Sequence, residues 1–294
     1  MQEKIQKILF ASHFREMAYN SLEALFVLKK TGLNLIVLCH IIPREEVGFV
    51  PFGGYLKKEA DELKEEALIK FEDWQKAINR AGIESRIVIE VGDPAHGVAR
   101  TAHKEKADML AIGKGPLSLD IATRCRMPVL IQAYMAPFQA GGERAVRENR
   151  LIFDKPLLAA GSPQASRRAL LLLESLAGAV EKAAVAHVID KKALSSPEIE
   201  KIKKDETLRL EGYCDVLQKP GIAAEPHLLA GNPAEELINE ARASACSMII
   251  AASSDREGQE DAPFGSVARK LCEISEFPVL LVPFPPLPPT EDLD

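Results

Sequence analysis

Aromatic residues are scarce in this chain of 294 residues, at 5% with a single tryptophan. That leaves little material for the platforms on which nucleic-acid bases stack. An excess of positive charge is missing too. Lys and Arg number 37 against 43 Asp and Glu, the formal net charge is -6, and no basic block is present to grip a phosphate backbone. Together these shortages predict no nucleic-acid partner. No apolar run reaches the roughly 18 residues that cross a bilayer. Residues 1–7 are polar and lack the apolar segment of a signal peptide. The expectation is therefore a cytoplasmic protein without a membrane partner.

Cysteine is sparse and unpatterned. Cys39, Cys125, Cys214, Cys246 and Cys272 are odd in number and never spaced C-x-x-C, which suits reduced, packed thiols rather than a disulfide or zinc framework. No H-E-x-x-H, no P-loop G-x4-G-K-[S/T] and no G-x-S-x-G is present. Gly113-Lys114-Gly115 falls short of G-x-G-x-x-G because position 118 is Ser. No nucleophile stands at motif spacing from a base, so the residues make no case for hydrolysis, and no metal site is expected. His96 and His103 are placed to share one helix face, but no third ligand accompanies them.

What the chain does have is alternation. Short apolar runs at 7–12, 33–42, 85–91, 107–112 and 128–131 read as buried strands. Amphipathic stretches at 17–30, 57–81, from Pro94 onward, and briefly at 117–125 read as helices. Pro94 suits the first turn of a helix, where a missing N–H costs nothing. The order recurs in the second half, with strands at 156–160, 183–189, 223–229, 247–252 and 279–282. Helices at 164–176, 197–218, 233–244 and 264–275 lie between them. Strands alternating with helices imply parallel sheets with right-handed crossovers.

The repeat is visible residue by residue. Gly92-Asp93-Pro94 answers Gly231-Asn232-Pro233, Cys39-His40-Ile41 answers Ala186-His187-Val188, and Pro128-Val129-Leu130 answers Pro278-Val279-Leu280. The second half is longer between its third and fifth strands, and the extra residues fall just after Ala252. The chain thus divides into a first domain at 1–135, a linker at 136–150, a second domain at 151–283 and a proline-rich tail at 284–294.

Two such halves, each with G-[DN]-P before its third helix and P-V-L at its last strand, resemble the universal stress protein family in its tandem form. The resemblance implies two doubly wound α/β sheets, each five-stranded in the order 3-2-1-4-5, of the adenine-nucleotide-alpha-hydrolase-like class. It implies a non-catalytic, stress-response regulatory module acting on an unknown protein partner. It also implies self-association through the last strands, within the chain at 129–131 and 279–282 and between chains as a homodimer. An unpaired apolar edge seeks a partner.

ATP-binding members of that family pair an Asp at the end of the first strand with a Gly-x2-Gly-x9-Gly-[Ser/Thr] loop after the fourth. Glycines let backbone amides approach phosphate, and the following helix N-terminus adds its dipole. In the second half Gly265-Ser266 matches the end of the pattern, while Ala252 and Asp255 stand where the two earlier glycines belong. Asp255 is the serious departure, since a carboxylate repels a triphosphate. Glu257, Glu260 and Asp261 add to it against Arg256. Ala160 stands in place of the acid. Gly265-Ser266 is also an ordinary helix N-cap without a ligand. In the first half the loop shrinks to Gly113-Lys114-Gly115-Pro116, Pro116 removes an amide donor, and His13 takes the acid's place. Lys114 offers a lone positive charge there.

No cofactor is required by these residues. The ligand the resemblance implies for the degenerate second pocket is ATP or AMP, with Gly265, Ser266 and Val267 at phosphate and ribose, Ala252 beside them, and Val188 at the base. The rival reading is an ATP-binding, slowly hydrolysing switch. The segment at 48–55 (GFVPFGGY) is an apolar loop that either covers the first pocket, makes a dimer contact or folds onto its own sheet.

Overall fold

The computed structural model describes residues 4–14, 18–50, 54–55, 57–133, 150–191, 193–253 and 264–284. The first half runs β1 (Lys7–Ala11), α1 (Ala18–Glu23), β2 (Leu35–Pro43), β3 (Phe49–Val50), β4 (Gly54–Tyr55), α2 (Lys57–Arg80), β5 (Glu84–Gly92), α3 (Pro94–Lys104), β6 (Met109–Gly113), α4 (Ser118–Thr123) and β7 (Val129–Gln132). The second runs β8 (Pro156–Ala159), α5 (Pro163–Ser175), β9 (Lys182–Asp190), α6 (Ile199–Gln218), β10 (Ala223–Gly231), α7 (Pro233–Ala243), β11 (Met248–Ala252), α8 (Ser266–Ile274) and β12 (Val279–Val282).

Each half is wound in the expected order, and the two are continuous. Ten of the twelve strands form one sheet, β10-β9-β8-β11-β12-β7-β6-β1-β2-β5. Within that sheet all neighbours inside a half are parallel. The seam alone is antiparallel, with Val279 opposite Ile131, Leu280 opposite Leu130 and Leu281 opposite Val129. Because β7 also pairs with β6, and β12 with β11, neither last strand keeps a free hydrogen-bonding edge. The intrachain pairing expected of these strands is present. Association between chains as a homodimer is a separate expectation, which pairing within one chain does not decide.

Alternation along each strand sends side chains to two layers. Ile8, Phe10, Leu130, Leu158 and Leu280 join the layer covered by α1, α2, α5 and α6. Leu9, Val129, Ile131, Leu157 and Leu281 join the layer covered by α3, α4, α7 and α8. Both layers run through the seam. The repeat also extends to helix-terminal contacts. Lys7 Nζ donates to the Glu105 carbonyl at 2.7 Å, at the end of α3, and Lys155 Nζ to the Ser244 carbonyl at 3.0 Å, at the end of α7. Gly82 ends α2 at φ +73, a left-handed conformation that favours glycine.

Two local features differ from the sequence reading. The stretch expected as one helix is α-helical only through Glu23 and continues as a 3-10 helix from Ala24 to Thr31. Leu22, Leu25 and Leu28, all fully buried, are spaced by three, and a 3-10 helix lines such residues up in one row. The apolar loop forms a small hairpin, Phe49 opposite Tyr55 and Val50 opposite Gly54. Pro51, Phe52 and Gly53 lie outside the described residues, as do 134–149, which take in the linker up to 149, and 285–294 of the tail.

Candidate functional site

In the second half the strand order reverses between β8 and β11, and the connections leave on opposite faces of the sheet. A crevice forms there, past the strand carboxyl ends. It holds a cavity of about 520 Å³. Its floor is Ala159, Ala160, Ala186, Val188, Ala251 and Ala252, its sides include Leu237 and Phe264, and one wall is the start of α8. All five residues singled out from the sequence, Val188, Ala252, Gly265, Ser266 and Val267, line it. Alanines on three neighbouring strands leave the volume that larger side chains would fill.

Among the described residues the start of α8 has no side-chain cap. Gly265 is its N-cap, extended at φ -66 and ψ 171, and supplies no side-chain cap. The first amides of a helix have no intrahelical partner, and Ser266, Val267 and Ala268 all line the cavity. The start of α5, on the other side, is closed by its own sequence, since Ser162 Oγ accepts the Ala165 N–H at 3.3 Å. The cavity therefore presents an apolar floor and one wall of donors with a positive helix end.

The equivalent crevice of the first half holds about 70 Å³. Counted back from Pro128 and Pro278, Gly115-Pro116-Leu117 occupy the place of Gly265-Ser266-Val267. Pro116 and Leu117 line what space remains. The turn is locked by Ser118, whose hydroxyl donates to the Gly115 carbonyl at 2.8 Å. Lys114, the lone charge considered for an anion, donates instead to the Ser275 carbonyl at 2.7 Å in the other half.

The sheet register revises one equivalence. Ser12 N–H bonds the Cys39 carbonyl and Ala160 N–H the Ala186 carbonyl, so Ser12 and Ala160 are the matched pair and His13 answers Gly161. None of the four is acidic. His40 and His187 finish their strands alike, Nδ1 at 2.8 Å from the carbonyls of Ser12 and Ala160. Burial, the largest influence on His40, holds its pKa below the usual imidazole range. His103 Nδ1 is taken up by the Ala99 carbonyl at 2.8 Å rather than joining His96 in a metal site. Asp255, Arg256, Glu257, Glu260 and Asp261 lie outside the described residues.

Sequence reasoning missed two side chains beside the cavity. Arg209 of α6 donates to the Gly161 carbonyl at 3.0 Å and pairs with Glu206, which stands 3.7 Å from His187 Nε2. No motif flags them. The only available signal was the repeat itself, which sets Arg209 opposite Lys70 on α2. Lys70 lies 5.0 Å from the centre of the Phe14 ring. Arg269, which does line the cavity, is tied by Nε to the Phe264 carbonyl at 3.1 Å.

A sheet doubly wound twice over, with its larger crevice at the switch point of the second half, defines a doubly wound α/β class. The model of the Universal stress protein family matches residues 4–119 and 153–283, and the chain belongs to that family in its tandem form. Universal stress protein YxiE of Bacillus subtilis (strain 168) is 32% identical over 81 residues, 28% of this chain and 55% of that protein. The chain thus spans about half the length of this relative. A universal stress protein from Archaeoglobus fulgidus DSM 4304 superposes with a TM-score of 0.70 at 19% identity, over 95% of this chain and 96% of that one. A putative universal stress protein from Pseudomonas aeruginosa UCBPP-PA14 gives 0.62 at 15% identity, over 96% and 94%. These structural likenesses are likenesses of fold. Among the described residues no helix is long and apolar enough to cross a membrane.

Proposed function

We propose that the chain is a non-catalytic regulatory module of the stress response, acting in the cytoplasm on a protein partner. Its second half alone seats a small ligand, an adenine nucleotide such as ATP or AMP. The observation that carries this is the asymmetry of the two crevices, about 520 Å³ against about 70 Å³. The larger one faces an uncapped helix start. The two ionisable groups in the described lining, His187 and Arg269, are each oriented by a backbone carbonyl.

The test is thermal unfolding with and without millimolar Mg-ATP or AMP. A site filled at a hundred times its dissociation constant adds about 2.7 kcal/mol, a readily measured rise in melting temperature. The rise is expected in the natural chain and lost in Gly265→Asp. No rise with either nucleotide contradicts the reading. The open amides of α8 also suit a slowly hydrolysing switch, and phosphate release from Mg-ATP at a rate abolished by Gly265→Asp would favour it.

A further inference from the structure

The cavity's donor wall has an anchor in the opposite half. Lys114 belongs to the shortened turn of the first half, its N–H bonded to the Gln132 carbonyl of β7 at 2.8 Å. Its ammonium crosses the seam and donates to the Ser275 carbonyl at 2.7 Å. Ser275 is the C-cap of α8, and its N–H returns to the Leu271 carbonyl. It is 2% exposed, and its hydroxyl donates to the Phe277 carbonyl and accepts the Phe277 N–H, each at 3.0 Å. The ammonium thus meets the negative end of the helix whose other end walls the cavity. Cations are favoured there by the dipole.

The contact runs one way. Ser253 holds the position equivalent to Lys114, its N–H bonded to the Val282 carbonyl as Lys114's is to Gln132. Ser253 has no side chain of comparable reach, and its carbonyl accepts from Arg168 of its own half at 2.5 Å. The closed half therefore reaches into the open half without a reciprocal lysine. Burial, the largest influence on Lys114, lowers its pKa, so the carbonyl contact offsets a real desolvation cost.

We infer that Lys114 is a positioning residue: by holding Ser275, the first half's shortened turn fixes α8, the wall of the second half's cavity. A first half whose own crevice is nearly filled then has a definite task in binding at the other. The ligand arm of the test rests on the proposed function. The exchange arm does not.

The experiment is amide hydrogen exchange on the full chain without ligand, comparing Lys114→Met, Lys114→Gln and Lys114→Arg with the natural protein. Losing a charge-assisted hydrogen bond should speed exchange within α8 about tenfold. α5, on the other face of the sheet, should stay unchanged. Lys114→Arg, which keeps the charge and the donor, should restore most of the protection. Unchanged α8 exchange in both the Met and Gln variants overturns the inference, as does a loss shared equally by α5, which would mark general destabilisation. In the ligand arm, Lys114→Met should weaken Mg-ATP binding about fivefold and Lys114→Arg should restore it. If neither Mg-ATP nor AMP binds any of the chains, the proposed function falls while exchange still decides the role of Lys114. Unchanged affinity with loosened α8 overturns the link to the cavity.

Discussion

Gly265-Ser266 and Gly115-Pro116 hold the same place in the two halves, and they show how much the change from serine to proline decides. Gly265 leaves the cavity wall as bare amide donors, whereas Pro116 removes one donor and is followed by Leu117 in the space that remains. Gly265→Asp is informative because aspartate is a favoured N-cap and its charge suits the helix dipole. Its extended backbone accepts any residue. The variant should melt at or above the natural chain without ligand, by about 0.5 kcal/mol, while filling the anion seat with its own carboxylate. Asp255→Gly, in a segment outside the described residues, is expected to favour a triphosphate by removing a like charge; nucleotide titration reads this directly.

The thiols also act at the residue scale. Burial pushes Cys39, Cys125 and Cys272 up to about 12, and Cys214 and Cys246 up to about 11, from an ordinary 9.0. A group whose pKa is raised on folding binds more protons folded than unfolded, so stability falls as pH climbs between the two values. The stability due to neutral thiols is fully present below pH about 9 and is lost toward 11 to 12. The denaturant midpoint should drop from pH 8 to pH 10.5, and by less in a Cys39→Ala, Cys125→Ala double variant.

At the scale of elements, two helices built on one pattern differ in their caps. Asp93 accepts the His96 N–H at 2.7 Å at the start of α3, while Asn232 makes no side-chain cap at the start of α7. Asp93→Ala should therefore cost about 1 kcal/mol and Asn232→Ala only a few tenths, measured by chemical denaturation. The strands were the most legible elements, because a sheet covered on both faces writes itself as short continuous apolar runs. The 3-10 stretch after α1 was not read, although Leu22, Leu25 and Leu28 carried its spacing of three. A spacing of three also occurs on α-helices, and only packing against the sheet selects the tighter winding. The floor of the cavity was partly legible. Val188, Ala252 and the Gly265-Ser266-Val267 turn follow from the resemblance to the family and its loop pattern. Arg209, Glu206 and Arg269 come from helix positions whose inward facing only the assembled layers determine.

At the scale of the whole molecule, the repeat made two sheets readable, and their fusion into one followed from the apolar last strands. Pairing them buries Val129, Leu130, Val279 and Leu280 at 2% exposure or less, and both core layers pass through the seam. The halves should therefore unfold as one unit. The single tryptophan, Trp74, lies in the first half against Phe10 and Phe71, far along the chain from β12. Leu280→Asp, which buries an unpaired charge at the seam, should cost about 4 kcal/mol or more. It should shift the Trp74 fluorescence transition as much as the far-ultraviolet one. A Trp74 transition left in place would mean that the halves unfold separately.

The central assertion is that one half holds the ligand and the other does not. Calorimetric titration of the full chain with AMP and with Mg-ATP tests it most directly. The account predicts one site per chain, abolished by Gly265→Asp and untouched by Pro116→Ala. Two sites per chain, or a single site that survives Gly265→Asp, would contradict it.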